Sequence, residues 1–314
     1  MVEFIKESEV KESVEMDDLV ETIRKAFNSY SIGNSKMPEK SYLEVDKGDF
    51  RSMPAFVSMG DYQMAGVKWV NVHPGNPEKE LPTVMGSIVL CDPETGEPEY
   101  FVEASELTSM RTGAASGVAT DLLTHEDVSS VGIIGAGKQS YKQIEAINCV
   151  RDIDDIVIHD LDEDKAEEFA NSVSDARVGD KKEACSCNVL CTVTPTTEPI
   201  VNERDLGDEN IHINAIGADS FDKKEFSDGV IRNNKIIVDD IEQASHSGEI
   251  SIPISRGVFS KDKISATLGE LTSERVEGHN VTSPVLENLR KTRTIYDSTG
   301  IAIQDIAACS HLVD

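Results

Sequence analysis

Residues 131–140 read Val-Gly-Ile-Ile-Gly-Ala-Gly-Lys-Gln-Ser, an apolar run that meets two glycines and passes straight into helix-forming sequence. Gly135 permits a tight turn, Gly137 lets the backbone approach a pyrophosphate, and the first N–H groups of the helix that follows favour an anion. Ala136, Lys138, Gln139 and Ser140 complete this candidate phosphate loop. Ser140 stands where the third glycine of the dinucleotide fingerprint falls, and a bare Gly-x-Gly occurs in many loops that bind nothing, so context decides. The next apolar run, IVIHD, ends at Asp160, at the spacing of the acid that binds a ribose 2′-hydroxyl. A carboxylate there would repel a 2′-phosphate, so the expected cofactor is NAD rather than NADP. The competing reading of Asp160 is a cap for the helix DEDKAEEF, and one residue can do both.

In an open parallel sheet, ligands bind beyond the carboxyl ends of the strands. Two further residues at such ends are Thr194 and Asp219, the latter closing IHINAIGAD. Asp219 is thereby expected in the crevice of a nicotinamide ring and a substrate; a helix cap or plain loop aspartate is its alternative. Three cations attract attention for their surroundings: Arg51 in DFRSMPAF, Lys68 in AGVKWVNV and Arg111 in ELTSMRTGAASG. A buried cation is costly without an anionic partner, so these point either to an anionic substrate or to internal ion pairs.

The elements that must hold these residues fall into two regions. Asp17 and Asp18 precede apolar residues at helical spacing, from Leu19 to Phe27, which predicts a first amphipathic helix. Between Tyr42 and Val102, short apolar runs separated by Pro- and Gly-rich turns predict a mostly antiparallel sheet. LTSMRTGAASGVATDLL returns to helical spacing. From Val128 onward strand and helix alternate: SVGIIG, a helix over Lys138–Cys149, DIVIHD, a helix over Lys165–Val173, NVLCTVT, IHINAIG and KIIVDD. That alternation predicts a doubly wound parallel sheet of the Rossmann class. The closing stretch from Thr282 is expected to be helical.

The chain of 314 residues carries a formal net charge of −28, with the acids spread along its length. Such a surface repels phosphate backbones and anionic lipid, so nucleic acid and membrane are not expected partners. It fits either adaptation to high cytoplasmic salt, the expectation adopted, or an acidic protein that tolerates its charge. No apolar leader or membrane-length run is present, which makes the cytoplasm the expected location. Six cysteines are too few for a disulfide scaffold. Cys185, Cys187 and Cys191 lie in an apolar run without a fourth ligand nearby, so core packing is expected and no metal.

Taken in order, FRSMP, GVKWVNVHPGNP, LTSMRTGAASG, VGIIGAGKQS, NAIGADS and YDSTGIAIQDIA resemble the ornithine cyclodeaminase/mu-crystallin family, most nearly its archaeal alanine dehydrogenase branch. The resemblance implies a homodimer. Residues 1–117 with 290–314 would form a smaller α/β substrate-binding and dimerisation domain, and residues 118–289 the Rossmann NAD-binding domain. It further implies that Arg51 and Arg111 hold a substrate carboxylate, that Lys68 contacts that carboxylate or the carbonyl, and that Asp219 is the acid/base group beside the cofactor. The implied reaction is reversible NAD-dependent oxidative deamination of a small L-amino acid, L-alanine to pyruvate and ammonia. Ornithine cyclodeamination to proline, ketimine reduction and a non-catalytic binding role are the alternatives. Cyclodeaminases resemble one another in a longer segment before the lysine that carries a carboxylate for the distal amine; here Asp61 is the sole acid between Met53 and Lys68.

Overall fold

The computed structural model describes residues 1–207, 212–273 and 283–313. Its strands are β1 (Glu3–Ile5), β2 (Ser41–Val45), β3 (Gly48–Met59), β4 (Tyr62–Val72), β5 (Val84–Cys91), β6 (Pro98–Glu103), β7 (Ser130–Ile134), β8 (Asp155–His159), β9 (Ala176–Val178), β10 (Val189–Thr192), β11 (His212–Ala215), β12 (Lys235–Val238), β13 (Ile264–Thr267) and β14 (Thr294–Asp297). Its helices are α1 (Glu7–Ser13), α2 (Met16–Ser31), α3 (Ser105–Leu123), α4 (Lys138–Asn148), α5 (Glu163–Ser172), α6 (Lys181–Ala184), α7 (Asp228–Asn233), α8 (Ile241–His246), α9 (Ser251–Ser255), α10 (Leu268–Thr272), α11 (Pro284–Leu289) and α12 (Ala302–Ala308). The chain divides into two units, Met1–Arg111 with Ile301–Asp314, and Thr112–Gly300.

In the first unit six strands form a sheet in the order β1-β6-β5-β4-β3-β2. The segments read as antiparallel pair in that sense throughout, and β1, too short to show a period, joins β6 in parallel. Side chains alternate across such a sheet, so Arg51, Met53, Ala55 and Val57 of β3 share its inward face with Met64, Lys68 and Val70 of β4. α2 and α12 pack on these strands. α12 comes close because Gly66 has no side chain: a Cβ there would lie 2.7 Å from Ile306 Cδ1.

The second unit is built on eight strands, all parallel, in the order β13-β12-β14-β11-β10-β7-β8-β9. Both faces are covered, as burial of a parallel sheet requires. Val131, Ile133, Ile156, Ile158, Val189 and Cys191 pack with Ile144 and Ile147 of α4 and Phe169 of α5. Ile134, Val157 and Leu190 point the opposite way, into a cluster with Val201, Phe226 and Val230. Cys185 and Cys187 belong to this second cluster and Cys191 to the first, so the three thiols do not converge. Among the described residues no helix is long and apolar enough to cross a membrane.

One expectation is corrected. The closing stretch is not uniformly helical: Thr294–Asp297 is β14, inserted between β11 and β12 near the centre of the large sheet. Its four residues are all buried, too few to show a periodicity against the helical runs on either side. Contacts within the chain divide it at 111/112, inside α3, and at 300/301, after β14, which ties residues 294–297 to the parallel sheet; the sequence places the division at 117/118, also inside α3, and at 289/290. Ile211, at the start of the expected IHINAIG strand, and Thr282 and Asp314, at the ends of the closing stretch, lie outside the described residues.

Candidate active site

From β7 the chain winds outward twice, to β8 and β9 on one side and to β10 and β11 on the other. The strand order therefore reverses between β7 and β10, where a parallel sheet opens a crevice at its carboxyl ends. The glycine loop stands there. Gly135 adopts φ +103°, a left-handed conformation that a side chain resists, and a Cβ on it would lie 2.7 Å from Val193 O. Gly137 caps α4, and a Cβ added to it would meet nothing within 4 Å, so open space lies over the helix N-terminus. Ser140 is fully buried and donates its hydroxyl to Gly135 O. The serine thus stitches the loop where the fingerprint has its third glycine. Lys138 is exposed and Gln139 half-buried on the first turn of α4.

Asp160, just past β8, accepts from the N–H of Ala136 at 2.6 Å and from that of Asp162 at 2.9 Å. The cap of α5 is Asp162, whose side chain accepts from Lys165 N, so Asp160 is not the cap of that helix. The loop, the helix N-terminus and this acid together have the shape and charge that a dinucleotide needs: a glycine cradle, the positive end of a helix and an acid at the next strand end. At the neighbouring strand ends, Thr194 turns both its N–H (2.8 Å) and its hydroxyl (2.7 Å) to Glu225 Oε1. Asp219 is half-buried, its Oδ1 2.5 Å from Lys223 Nζ.

In the first unit the three cations sort themselves differently. Lys68 Nζ and Arg111 Nε both donate to Oδ1 of Asp305, at 2.7 and 2.9 Å, and Arg111 Nη1 donates to Gln304 Oε1 at 2.7 Å. Lys68 and Asp305 are each 1% exposed. Oδ2 of Asp305 has no hydrogen-bond partner among the described residues. Two cationic groups therefore share one oxygen of one carboxylate. Internal pairing accounts for only part of the positive charge, and the excess suits an anion such as a substrate carboxylate. Burial pushes the Lys68 ammonium down to about 7, with the Arg111 charge adding to the fall and Asp305 opposing it. Arg51 lies on the same inward face of the sheet, its Nε 2.7 Å from Asp49 Oδ1 and its guanidinium over the Tyr42 ring.

Asp305 and Gln304 are site residues that the sequence reading missed. The available signal was an acid at a core position of the small-residue helix AIQDIAA, a place where an unpaired carboxylate is costly. Asp61, the sole acid before Lys68, sits exposed in the two-residue turn between β3 and β4. It is seven residues from Lys68 along a strand, or about 23 Å at the rise of an extended chain.

A doubly wound nucleotide-type sheet, carried in one chain with a sheet that holds a buried cation cluster, fits the class of dinucleotide-dependent enzymes, and the fold by itself does not fix the reaction. The model of the ornithine cyclodeaminase/mu-crystallin family matches residues 2–314, and the chain belongs to that family. It is 42% identical over 305 residues to an alanine dehydrogenase of Archaeoglobus fulgidus, covering 96% of this chain and 91% of that one. Among solved structures, an archaeal alanine dehydrogenase dimer with bound NAD superposes with a TM-score of 0.90 at 40% identity, covering 99% of this chain and 94% of the other. The Thermococcus litoralis Delta(1)-pyrroline-2-carboxylate reductase in complex with NADH and L-proline gives a TM-score of 0.89 at 31% identity, covering 99% and 96%.

Proposed function

We propose that the protein is an NAD-dependent L-amino-acid dehydrogenase acting on a small substrate, interconverting L-alanine and water with pyruvate and ammonia, and that it works as a homodimer. The observation that carries the substrate class is the shared carboxylate: Lys68 and Arg111 converge on a single oxygen of Asp305, leaving positive charge for the carboxylate of an amino or keto acid. The tight β3–β4 turn supports a small substrate. Asp61 lies at its exposed tip, so this segment places no acid near Lys68 to hold a distal amine.

NAD is the cofactor, and when bound it supplies the acceptor for the hydride that leaves the α-carbon. The residues fitted to hold it are the Gly135–Ser140 loop, with Asp160 for the adenosine ribose and Thr194 at the adjacent strand end. Arg51 and Arg111 grip the substrate carboxylate, and such a fork fixes distance and angle at the α-carbon. Loss of hydride from the amino acid leaves an iminium carbon. Asp219 takes a proton from water as it adds to that carbon and later returns it to the departing amine, while the hydroxyl proton of the carbinolamine leaves to solvent as the carbonyl forms, giving ammonia and the keto acid. Lys68 stabilises the negative charge that develops on the substrate oxygen.

The test incubates purified protein with NAD and a panel of amino acids while NADH absorbance, ammonium and proline are followed together. L-Alanine should yield NADH, pyruvate and ammonium in equal amounts. Ornithine converted to proline with no accumulation of NADH would overturn the reading in favour of cyclodeamination. NADH-dependent reduction of a cyclic imino acid, with no turnover of alanine or of pyruvate plus ammonium, would overturn it in favour of imine reduction. Asp219→Asn keeps the shape of the side chain and removes its basicity, so kcat should fall about 10²- to 10⁴-fold while NAD affinity stays nearly unchanged.

A further inference from the structure

Behind the strand ends of the large sheet lies a file of buried carboxylates. Glu225, Glu249 and Asp297 are each at most 1% exposed. Asp297, the last residue of β14, accepts from the N–H groups of Glu249 (3.1 Å) and Ile250 (3.2 Å). Glu249 accepts from the N–H groups of Glu225 (2.7 Å) and Phe226 (3.2 Å). Glu225 gathers four donors: the Thr192 hydroxyl (2.6 Å) and Gly217 N–H (2.9 Å) on Oε2, and the Thr194 N–H (2.8 Å) and hydroxyl (2.7 Å) on Oε1. Each carboxylate holds the backbone that carries the next, and the last one holds the segments leaving β10 and β11.

The packing at this end is tight enough to dictate residue type. A Cβ on Gly217 would lie 2.2 Å from Thr194 O and 2.5 Å from the Glu225 carboxyl carbon, so only glycine lets the two segments and the carboxylate meet. An apolar residue at 225 would fill the space but could not accept from two backbone N–H groups on two different segments. Burying three carboxylates is otherwise costly. Burial pushes all three carboxyls upward, Asp297 to about 7. Asp219 follows Gly217 by two residues.

We infer that Glu225 is a positioning residue: its carboxylate ties Thr194 to Gly217 and so sets the Gly217–Asp219 segment from which Asp219 acts. This rests on the reading of Asp219 as the acid/base group. Glu225→Gln isolates the effect, because volume is kept while one oxygen becomes an NH₂ group. Either threonine hydroxyl can reverse and accept from that NH₂ group. A backbone N–H cannot, so whichever way the amide turns, Gly217 or Thr194 loses its acceptor. Misplacement by about 1 Å at a reacting group costs on the order of 10²-fold in rate.

The experiment compares wild type, Glu225→Gln, Asp219→Asn and the double variant, with kcat counted per NAD-binding site so that any misfolded fraction drops out. Amide hydrogen exchange is followed at residues 192–194 and 217–219. Glu225→Gln should lower kcat, measured at saturating NAD, at least tenfold, with substrate KM within about threefold of wild type, since orientation at the reacting group rather than substrate binding is disturbed. Exchange at the two segments should accelerate, and adding Glu225→Gln to Asp219→Asn should change kcat by less than about twofold, as expected for residues acting as one unit. An unchanged kcat in Glu225→Gln, or losses that multiply in the double variant, overturns the inference while leaving Asp219 in its role. If Asp219→Asn itself keeps the wild-type rate, the acid/base reading falls instead, and unaltered exchange in Glu225→Gln then overturns the positioning role as well. Should Glu225→Gln fail to fold, Thr192→Val removes one donor to the same carboxylate, and the same pattern is expected in weaker form; wild-type kcat and exchange there overturn the inference.

Discussion

Asp305→Asn tests the cation cluster most directly. In the native protein Asp305 Oδ1 receives Lys68 Nζ at 2.7 Å and Arg111 Nε at 2.9 Å, with all three side chains buried. Removing one partner of a buried ion pair costs about 3–5 kcal/mol, because the charge left behind has no compensation. Lys68 has an escape that Arg111 lacks: its ammonium already sits near 7 and can shed its proton, whereas the guanidinium stays charged and faces neutral amide oxygens, that of Gln304 and that of the amide introduced at position 305, in place of a carboxylate. The cost should therefore fall near the lower bound, about 3 kcal/mol. At the lower end of the usual 2–4 °C per kcal/mol, that is a fall in Tm of about 6 °C. The second consequence is electrostatic. Two charges about 4 Å apart at an effective dielectric near 20 interact by about 4 kcal/mol, and one pKa unit is 1.36 kcal/mol, so loss of the Asp305 charge should lower the Lys68 pKa by at least one unit. Pyruvate affinity depends on the charged ammonium in this mechanism. Its dissociation constant, measured by fluorescence titration of the NADH complex, should begin to rise with pH at least one unit earlier in the variant than in wild type. A melting temperature within 1 °C of wild type, together with an unmoved pH profile, would refute the claim that Asp305 holds this pair in its charged state.

Asp160→Ala should weaken NAD binding and narrow the preference for NAD over NADP, since it removes both the ribose acceptor and the Ala136 N–H partner; tighter binding of NADP than of NAD by the unmodified protein would sink that assignment. Asp297 has a folded-state pKa near 7 against an ordinary 3.8, so the folded state keeps a proton that the unfolded chain releases, and its contribution to stability is lost as pH rises from about 4 through about 7. Stability measured by denaturant titration across that window should fall more steeply for wild type than for Asp297→Asn, and parallel curves would count against the buried proton. A net charge of −28 should make the fold salt-dependent, because at about 1 M salt the Debye length shrinks to roughly 3 Å. The melting temperature is expected to climb from low to molar KCl; a flat or falling trend would reject salt adaptation.

Local spacing alone made much of this protein legible. Gly135, Gly137 and Asp160 were readable because turn, helix start and strand end are set by near neighbours in the chain, and the alternating runs from Val128 named the parallel sheet for the same reason. Lys68 and Arg111 stood out as cations in apolar company, yet their partner did not, since Asp305 lies 237 residues beyond Lys68 and only the packing of α12 onto β4 brings the two together. β14 escaped notice because its four residues are too few to show a period, and their place between β11 and β12 is decided by the path of the whole chain. Glu225 was one acid among many in FDKKEFSDGV; its meaning comes from two strand ends that meet its carboxylate in space, a convergence that no periodicity along the sequence encodes.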